Sequence, residues 1–442
     1  MLALPGLPRR PRSPARLLQA AIAALWMVGA VQAQSASGIL LDDIDTIFAF
    51  GDSYTYDGYM PQDGINSWKG IGNTSTGGYN WIQYLTNPAS LESESTQLPF
   101  ETNRSIVLYD LAFSGATVNG SIVEGSEGTP DFVAQVEMFE EYFDPPPQEA
   151  AWNANRTLFT IWFGINDVGF SYLKNVDLQA QLPNIFDTFN RQVATLYEAG
   201  ARNFLIMGVP PSWRTPLVKS YGDAAVGEFM THVGLFNSAL ASLSSSLPTL
   251  YPGSRVALFD TLSFLSAILD APAQYGFLEA DVFCPAYAEL MDMPDAELAQ
   301  CAWPMREYVW WNAYHPTWAV HKLLAAVIGN TLSNPLPATT TTSLLPSVPG
   351  STGAGVTTLT TLLPSTFIPT TSLTNTVPAS APTVTSTVLS TATGSDGGMG
   401  VPGASPSASG GGSNGAAAMG RGGEARRVGV AAAGAVAMAF VW

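Results

Sequence analysis

The sequence predicts an α/β/α three-layer sandwich around a central sheet of five mostly parallel strands. Three observations carry that prediction. Short apolar runs rich in β-branched and aromatic residues alternate with stretches of helical period. The alternation runs from residue 38 to residue 334 without an internal linker or repeat, a length that suits one core. Strands that alternate with helices imply crossover connections, and therefore a parallel sheet covered on both faces.

In chain order, the first strand is Thr46–Phe50, an unbroken apolar run apart from its opening threonine. Tyr79–Leu85 follows as a short helix, then Ile106–Phe113 as the second strand and Asp131–Phe143 as a helix. Leu158–Phe163 is the third strand. In the helix predicted over Leu178–Ala199, Phe186, Phe189, Val193, Leu196 and Tyr197 recur at helical spacing, and Gly200 stops it. Asn203–Val209 and Arg255–Asp260 are the last two strands, separated by the helical pattern Ala224–Leu247. Residues 262–310, rich in Ala, Pro, Met and acids, read as an irregular excursion, and Thr317–Leu332 reads as the closing helix.

Outside this region the composition changes. Arg9, Arg10, Arg12 and Arg16 precede an apolar stretch, Leu17 to Val31, and Val31-Gln32-Ala33 suits cleavage, so residues 1–33 are expected to be a secretory signal peptide. Residues 335–414 are dominated by Ser, Thr, Pro, Gly and Ala and are expected to form a disordered stalk suited to O-glycosylation. Residues 415–442 combine a polar spacer with the uncharged apolar tail Val428–Trp442, and small residues near Asn414 precede them. That pattern predicts a GPI-anchor signal removed on processing. The expected location is therefore extracellular, with the membrane reached only through the anchor.

The net charge of −17 argues against a nucleic-acid partner. Cys284 and Cys301 are the only cysteines, and in an oxidising compartment they are expected to form one disulfide; two buried thiols are the alternative. Such a bridge contributes about 3 kcal/mol in the chain-entropy model. Three histidines and no Cys-x-x-Cys leave no basis for a zinc site. Asn73, Asn103, Asn119 and Asn155 each open an Asn-x-Ser/Thr sequon and are expected glycosylation sites.

Four segments carry the chemistry. Gly51-Asp52-Ser53 places a hydroxyl at the carboxyl end of the first strand, where open α/β sheets form their sites. Ser114-Gly115-Ala116-Thr117 ends the second strand, and Gly115 can expose a backbone N–H to a ligand. Gly164-Ile165-Asn166-Asp167 ends the third, and the Asn166 amide can donate into the same crevice. The Ser53 N–H, the Gly115 N–H and the Asn166 side chain together make a candidate oxyanion hole. Trp310-Trp311-Asn312-Ala313-Tyr314-His315-Pro316-Thr317 supplies His315 as a candidate general base toward Ser53. His232 and His321, both within helical patterns, are weaker candidates. Asp52 reads as a backbone-bonding residue of the turn, and Asp167 as a helix cap.

The order Gly-Asp-Ser, Ser-Gly-Ala-Thr, Gly-Ile-Asn-Asp and His-Pro-Thr, from Phe48 to about His321, resembles the SGNH (GDSL-type) hydrolases. The wording, with Gly78-Tyr79-Asn80-Trp81 and Trp310-Trp311, is similar to fungal acetylesterases of carbohydrate esterase family 16. The resemblance implies a flavodoxin-like fold and a secreted serine esterase acting on short acyl groups, acetyl above all, on carbohydrates. It implies Ser53 as nucleophile, Gly115 and Asn166 as oxyanion donors, and His315 as base. It implies no metal or organic cofactor, a small-molecule or oligosaccharide ester as substrate, and a monomer.

One residue departs from the family pattern. The Asp usually found three residues before the catalytic His is here Asn312, which can accept the imidazole N–H but supplies no charge. A Ser–His dyad, a slow enzyme and a retired one all remain open, as does an acid from elsewhere, with Glu307 and Asp270 as candidates. The alternative to an esterase is a weakened or inactive surface protein that binds glycans through Trp303, Trp310, Trp311 and Trp318. Such clusters more often belong to a core. A lipase or phospholipase is a third reading.

Overall fold

The computed structural model describes residues 38–67, 73–86, 106–291, 293–294 and 296–333. The expected signal peptide, stalk and anchor signal, and the sequon at Asn103, lie outside the described residues. Five strands, β1 (Thr46–Gly51), β2 (Val107–Asp110), β3 (Thr157–Trp162), β4 (Asn203–Met207) and β5 (Arg255–Phe259), form one parallel sheet in the order β2-β1-β3-β4-β5. This is the flavodoxin-like order, with its switch point between β1 and β3. The helices in chain order are α1 (Trp81–Thr86), α2 (Phe132–Phe143), α3 (Ile165–Leu173), α4 (Leu178–Glu198), α5 (Pro216–Ser220), α6 (Asp223–Leu250), α7 (Thr261–Asp270), α8 (Pro285–Ala288) and α9 (Trp318–Ser333).

Side-chain parity along the strands assigns the layers. Phe48 of β1 lies opposite Phe159 of β3, and both rings pack on Phe139 of α2. Trp162 has the opposite parity from Phe159 and packs its ring on Trp81 of α1. α2, α4 and α6 pack side by side on the first face, and α1 packs on α9 on the second. β1 and β3 are buried along their whole length, as central strands of a doubly covered sheet must be.

Several boundaries differ from the sequence reading, and α5 (Pro216–Ser220) was not expected from it. The second strand stops at Asp110, because the Asp110 carboxylate takes the Ala112 N–H and turns the chain. The segment read as irregular opens with α7, whose cap Asp260 accepts the Ser263 N–H and whose Phe264, Leu265, Ile268 and Leu269 are buried. α3 begins inside the third chemical segment and was not separated from it in sequence. The remainder of the excursion is held by the Cys284–Cys301 disulfide. It is also held by indole N–H donors: Trp311 to the Tyr287 and Leu290 carbonyls, and Trp318 to the Pro294 carbonyl.

Candidate active site

β1 delivers Ser53 to the carboxyl edge of the sheet through a tight turn. The Asp52 carbonyl accepts the N–H groups of Thr55 and Tyr56, each at 2.9 Å, and the Asp52 carboxylate accepts the Tyr54 N–H at 3.0 Å. Asp52 therefore bonds the backbone, as expected from sequence. Burial pushes its carboxyl up to about 8. Just before α1, Asn80 donates to the Thr55 and Tyr56 carbonyls, and the indole of Trp81, the first residue of α1, donates to the Thr55 hydroxyl, so the Gly78–Trp81 block braces the turn from behind.

Ser53 Oγ lies 2.8 Å from His315 Nε2, and His315 Nδ1 lies 3.1 Å from Asn312 Oδ1. The same Asn312 oxygen accepts the backbone N–H of Tyr314 at 2.9 Å and of His315 at 2.8 Å. Two backbone donors can meet only the oxygen of the amide, so its orientation is set. A ring nitrogen facing that oxygen must carry the proton. His315 is then the Nδ1–H tautomer, and its Nε2 lone pair faces the serine hydroxyl. Asn312 thus fixes the tautomer without placing a charge beside the ring. Burial pushes the His315 imidazole down to about 3.

The His315 turn is fastened on several sides. Trp310 bridges to Pro316, the Leu217 N–H donates to the Ala313 carbonyl, and the Tyr54 hydroxyl donates to the Tyr314 carbonyl at 2.7 Å. The Tyr314 hydroxyl in turn donates to the Ile165 carbonyl, one residue before Asn166. Tyr54 and Tyr314 thus link the nucleophile turn, the histidine turn and the start of α3. The sequence reading did not single them out. The available signal was their adjacency to Ser53 and His315.

Gly115 has φ +79°, a conformation natural to glycine, and neither its N–H nor that of Ser53 meets an acceptor among the described residues. Asn166 is the second residue of α3, 3 % exposed, and spends one amide N–H on the Ala116 carbonyl at 3.0 Å, which leaves the other. Gly164 before it has φ +119°, and a Cβ there would stand 2.5 Å from Phe236 and Val209 atoms. Asp167 differs from the cap reading. The residue at the α3 cap is Gly164, and the buried Asp167 carboxylate accepts the Val118 N–H across the crevice. Burial pushes Asp167 up to about 7.

The other candidates fall elsewhere. His321 Nδ1 accepts the Trp81 N–H at the start of α1, and His232 lies within α6. Asp270 pairs with Arg214, and Glu307 ends the 3-10 turn Met305–Glu307. Trp310, Trp311 and Trp318 are buried and only Trp303 is exposed, so the four do not form a stacking wall. Asn73 and Asn155 are exposed, whereas Asn119 is half-buried and its amide donates to the Thr188 hydroxyl.

The GDSL-like Lipase/Acylhydrolase family model matches residues 47–328. An acetylesterase of Thermothelomyces thermophilus is 29% identical over 320 residues, covering 70% of this chain and 95% of that protein. An acetylesterase of Hypocrea jecorina is 22% identical over 334 residues, covering 66% and 90%. Among solved structures, Axe2, an acetylxylan esterase from Geobacillus stearothermophilus, matches with a TM-score of 0.35 at 15% identity, covering 69% of this chain and 97% of that one.

Proposed function

Because the chain belongs to the GDSL-like lipase/acylhydrolase family and is a carboxylic ester hydrolase, we propose that it cleaves short acyl esters, acetyl esters of carbohydrates in particular, through an acyl-enzyme on Ser53. The observation that carries this reading is the Ser53 Oγ to His315 Nε2 distance of 2.8 Å, with the lone pair of Nε2 facing the hydroxyl. Ser53 Oγ attacks the acyl carbon while Nε2 takes its proton. The carbonyl oxygen becomes an oxyanion facing the N–H groups of Ser53 and Gly115 and the second N–H of Asn166. Collapse expels the alcohol, protonated by His315, and a water molecule activated by the same nitrogen releases the acid.

The near-complete burial of Ser53, 1 % exposed, favours a small acyl group. The two fungal relatives named as acetylesterases support acetyl, and the carbohydrate alcohol follows from the resemblance to carbohydrate esterase family 16. We read the protein as a secreted monomer tethered by its carboxyl-terminal signal, a reading supported by the composition of the terminal segments and by the disulfide.

The test is covalent labelling. A fluorophosphonate is expected to modify Ser53 alone, located by peptide mapping, and p-nitrophenyl acetate is expected to be hydrolysed more than about tenfold faster than the octanoate, because forcing extra methylenes into a tightly packed site costs about 1–3 kcal/mol. A folded protein that neither labels at Ser53 nor turns over the acetate would sink the esterase reading. Faster turnover of octanoate would transfer it to the lipases. For the oxyanion site, Asn166→Ala is expected to lower kcat by about 10²–10³-fold with little change in KM, since the donor acts on charge formed only in the transition state. A loss confined to KM would remove Asn166 from that role.

A further inference from the structure

We propose that Gln135 is a positioning residue that holds the Ser53 turn in register with the oxyanion donors, an inference that rests on the Ser53 reading above. β1 pairs with β3 as far as Gly51, opposite Trp162. On its other side the pairing with β2 ends two residues earlier, at Ala49 opposite Asp110. Past the last β2 pair the buried Gly51 backbone, two residues before Ser53, keeps one bond on this side, from the Phe113 N–H to its carbonyl, and needs others. Gln135 supplies them. Its Oε1 accepts the Gly51 N–H at 2.9 Å, and its Nε2 donates to the Gly51 carbonyl at 2.8 Å, so one side chain satisfies the N–H that β2 leaves and adds a second donor to the carbonyl.

The same amide nitrogen donates to the Pro130 carbonyl at 3.1 Å, and Gln135 is fully buried. Its helix, α2, is locked to the loop that carries Gly115. The Phe132 N–H donates to the Thr117 carbonyl, the Thr129 hydroxyl to the Ser114 carbonyl, and the Ser126 N–H to the Gly115 carbonyl. A Cβ on Gly125 would stand 2.5 Å from that Gly115 oxygen, so the loop and the donor backbone are in close contact. The Gly51 carbonyl also accepts the Phe113 N–H, two residues before Gly115. Gln135 therefore joins the backbone that carries the nucleophile to the backbone that carries an oxyanion donor. A displacement of about 1 Å between such groups costs about 100-fold in rate.

The test compares the full chain with Gln135→Met, which keeps the volume and loses the amide, and with Gln135→Glu. The Glu carboxyl accepts from the Gly51 N–H and, only when protonated, donates to its carbonyl. Asp52 and Asp131 are the carboxyls flanking this contact in sequence, and the buried Asp167 carboxylate faces the same loop at the Val118 N–H, so wild type is measured at each pH as the reference. Gln135→Met is expected to lose about 100-fold in kcat on p-nitrophenyl acetate with KM nearly unchanged, and fluorophosphonate labelling is expected to slow in parallel. Gln135→Glu is expected to recover most of the rate at about pH 5 and to fall toward Gln135→Met at about pH 8, because its carboxyl titrates between them.

Circular dichroism melts report folding. If Gln135→Met does not fold, Gln135→Glu at acid pH decides. Variants with wild-type kcat, a loss confined to KM, or a loss accounted for by the unfolded fraction would overturn the positioning role. Wild type without Ser53-dependent turnover would overturn the esterase reading and this role with it, and that outcome is distinct from an active wild type with unaffected variants.

Discussion

Ser53→Ala is expected to lower kcat on a short ester by about 10⁶-fold, the scale seen when a hydrolase loses its serine, and in practice to the uncatalysed background. The size follows from the way the site is divided. Ser53 Oγ is the atom that bonds to the acyl carbon, and it is the hydroxyl that His315 Nε2 faces at 2.8 Å. What survives is the oxyanion site, with the N–H of residue 53, the N–H of Gly115 and the Asn166 amide all in place. These donors stabilise an oxyanion only once an attack creates it. His315→Ala is expected to cost a similar factor, and the double variant no more than either single one, because the two residues act as one unit. Residual Ser53-independent turnover well above background, lost in His315→Ala, would instead mean that His315 activates water directly and that no acyl-enzyme forms.

The second large effect concerns Asn312. Asn312→Asp is expected to raise kcat, by more than about tenfold and with a ceiling near 10⁴, the factor by which the opposite change impairs a serine protease. The geometry already suits a carboxylate, because the Asn312 oxygen accepts the N–H groups of Tyr314 and His315 as well as the imidazole. Those donors would favour the charged form. A charge there stabilises the imidazolium that forms when His315 takes the serine proton.

The pH profile separates this from a packing effect. Neutral imidazole is the working base, and burial pushes His315 down to about 3, so the acid limb of kcat/KM in the wild-type protein is expected near that value. A carboxylate at 312 raises the imidazole, so the limb in Asn312→Asp moves to higher pH as kcat rises. Unchanged kcat with an unmoved limb would show that a neutral acceptor is all the site requires.

The agreement between sequence and structure was uneven for physical reasons. The alternation of strands and helices and the four chemical segments were legible because each depends on local patterning: an apolar run, then a glycine and a polar residue at its carboxyl end. Asn312 was legible as a departure because the resemblance places an Asp three residues before the catalytic His. Its triple acceptor role was not, because that depends on where two backbone N–H groups point. The tryptophans were open between wall and core, and the structure placed three of them in the core. Indole N–H groups found carbonyl partners within the stapled excursion, which makes their burial affordable.

Residue order by itself determined the doubly covered parallel sheet, the residues that meet at its carboxyl edge and the absence of a carboxylate at position 312. The first two follow from short-range periodicity and spacing, and the third is a departure visible only through the resemblance to the SGNH hydrolases. Only the tertiary structure decided the imidazole tautomer, the link from Tyr54 through Tyr314 to α3, and the pairing of Gln135 with Gly51 across 84 positions of chain. Those contacts join segments whose separation in sequence carries no periodic signal, so they exist only once the layers have packed.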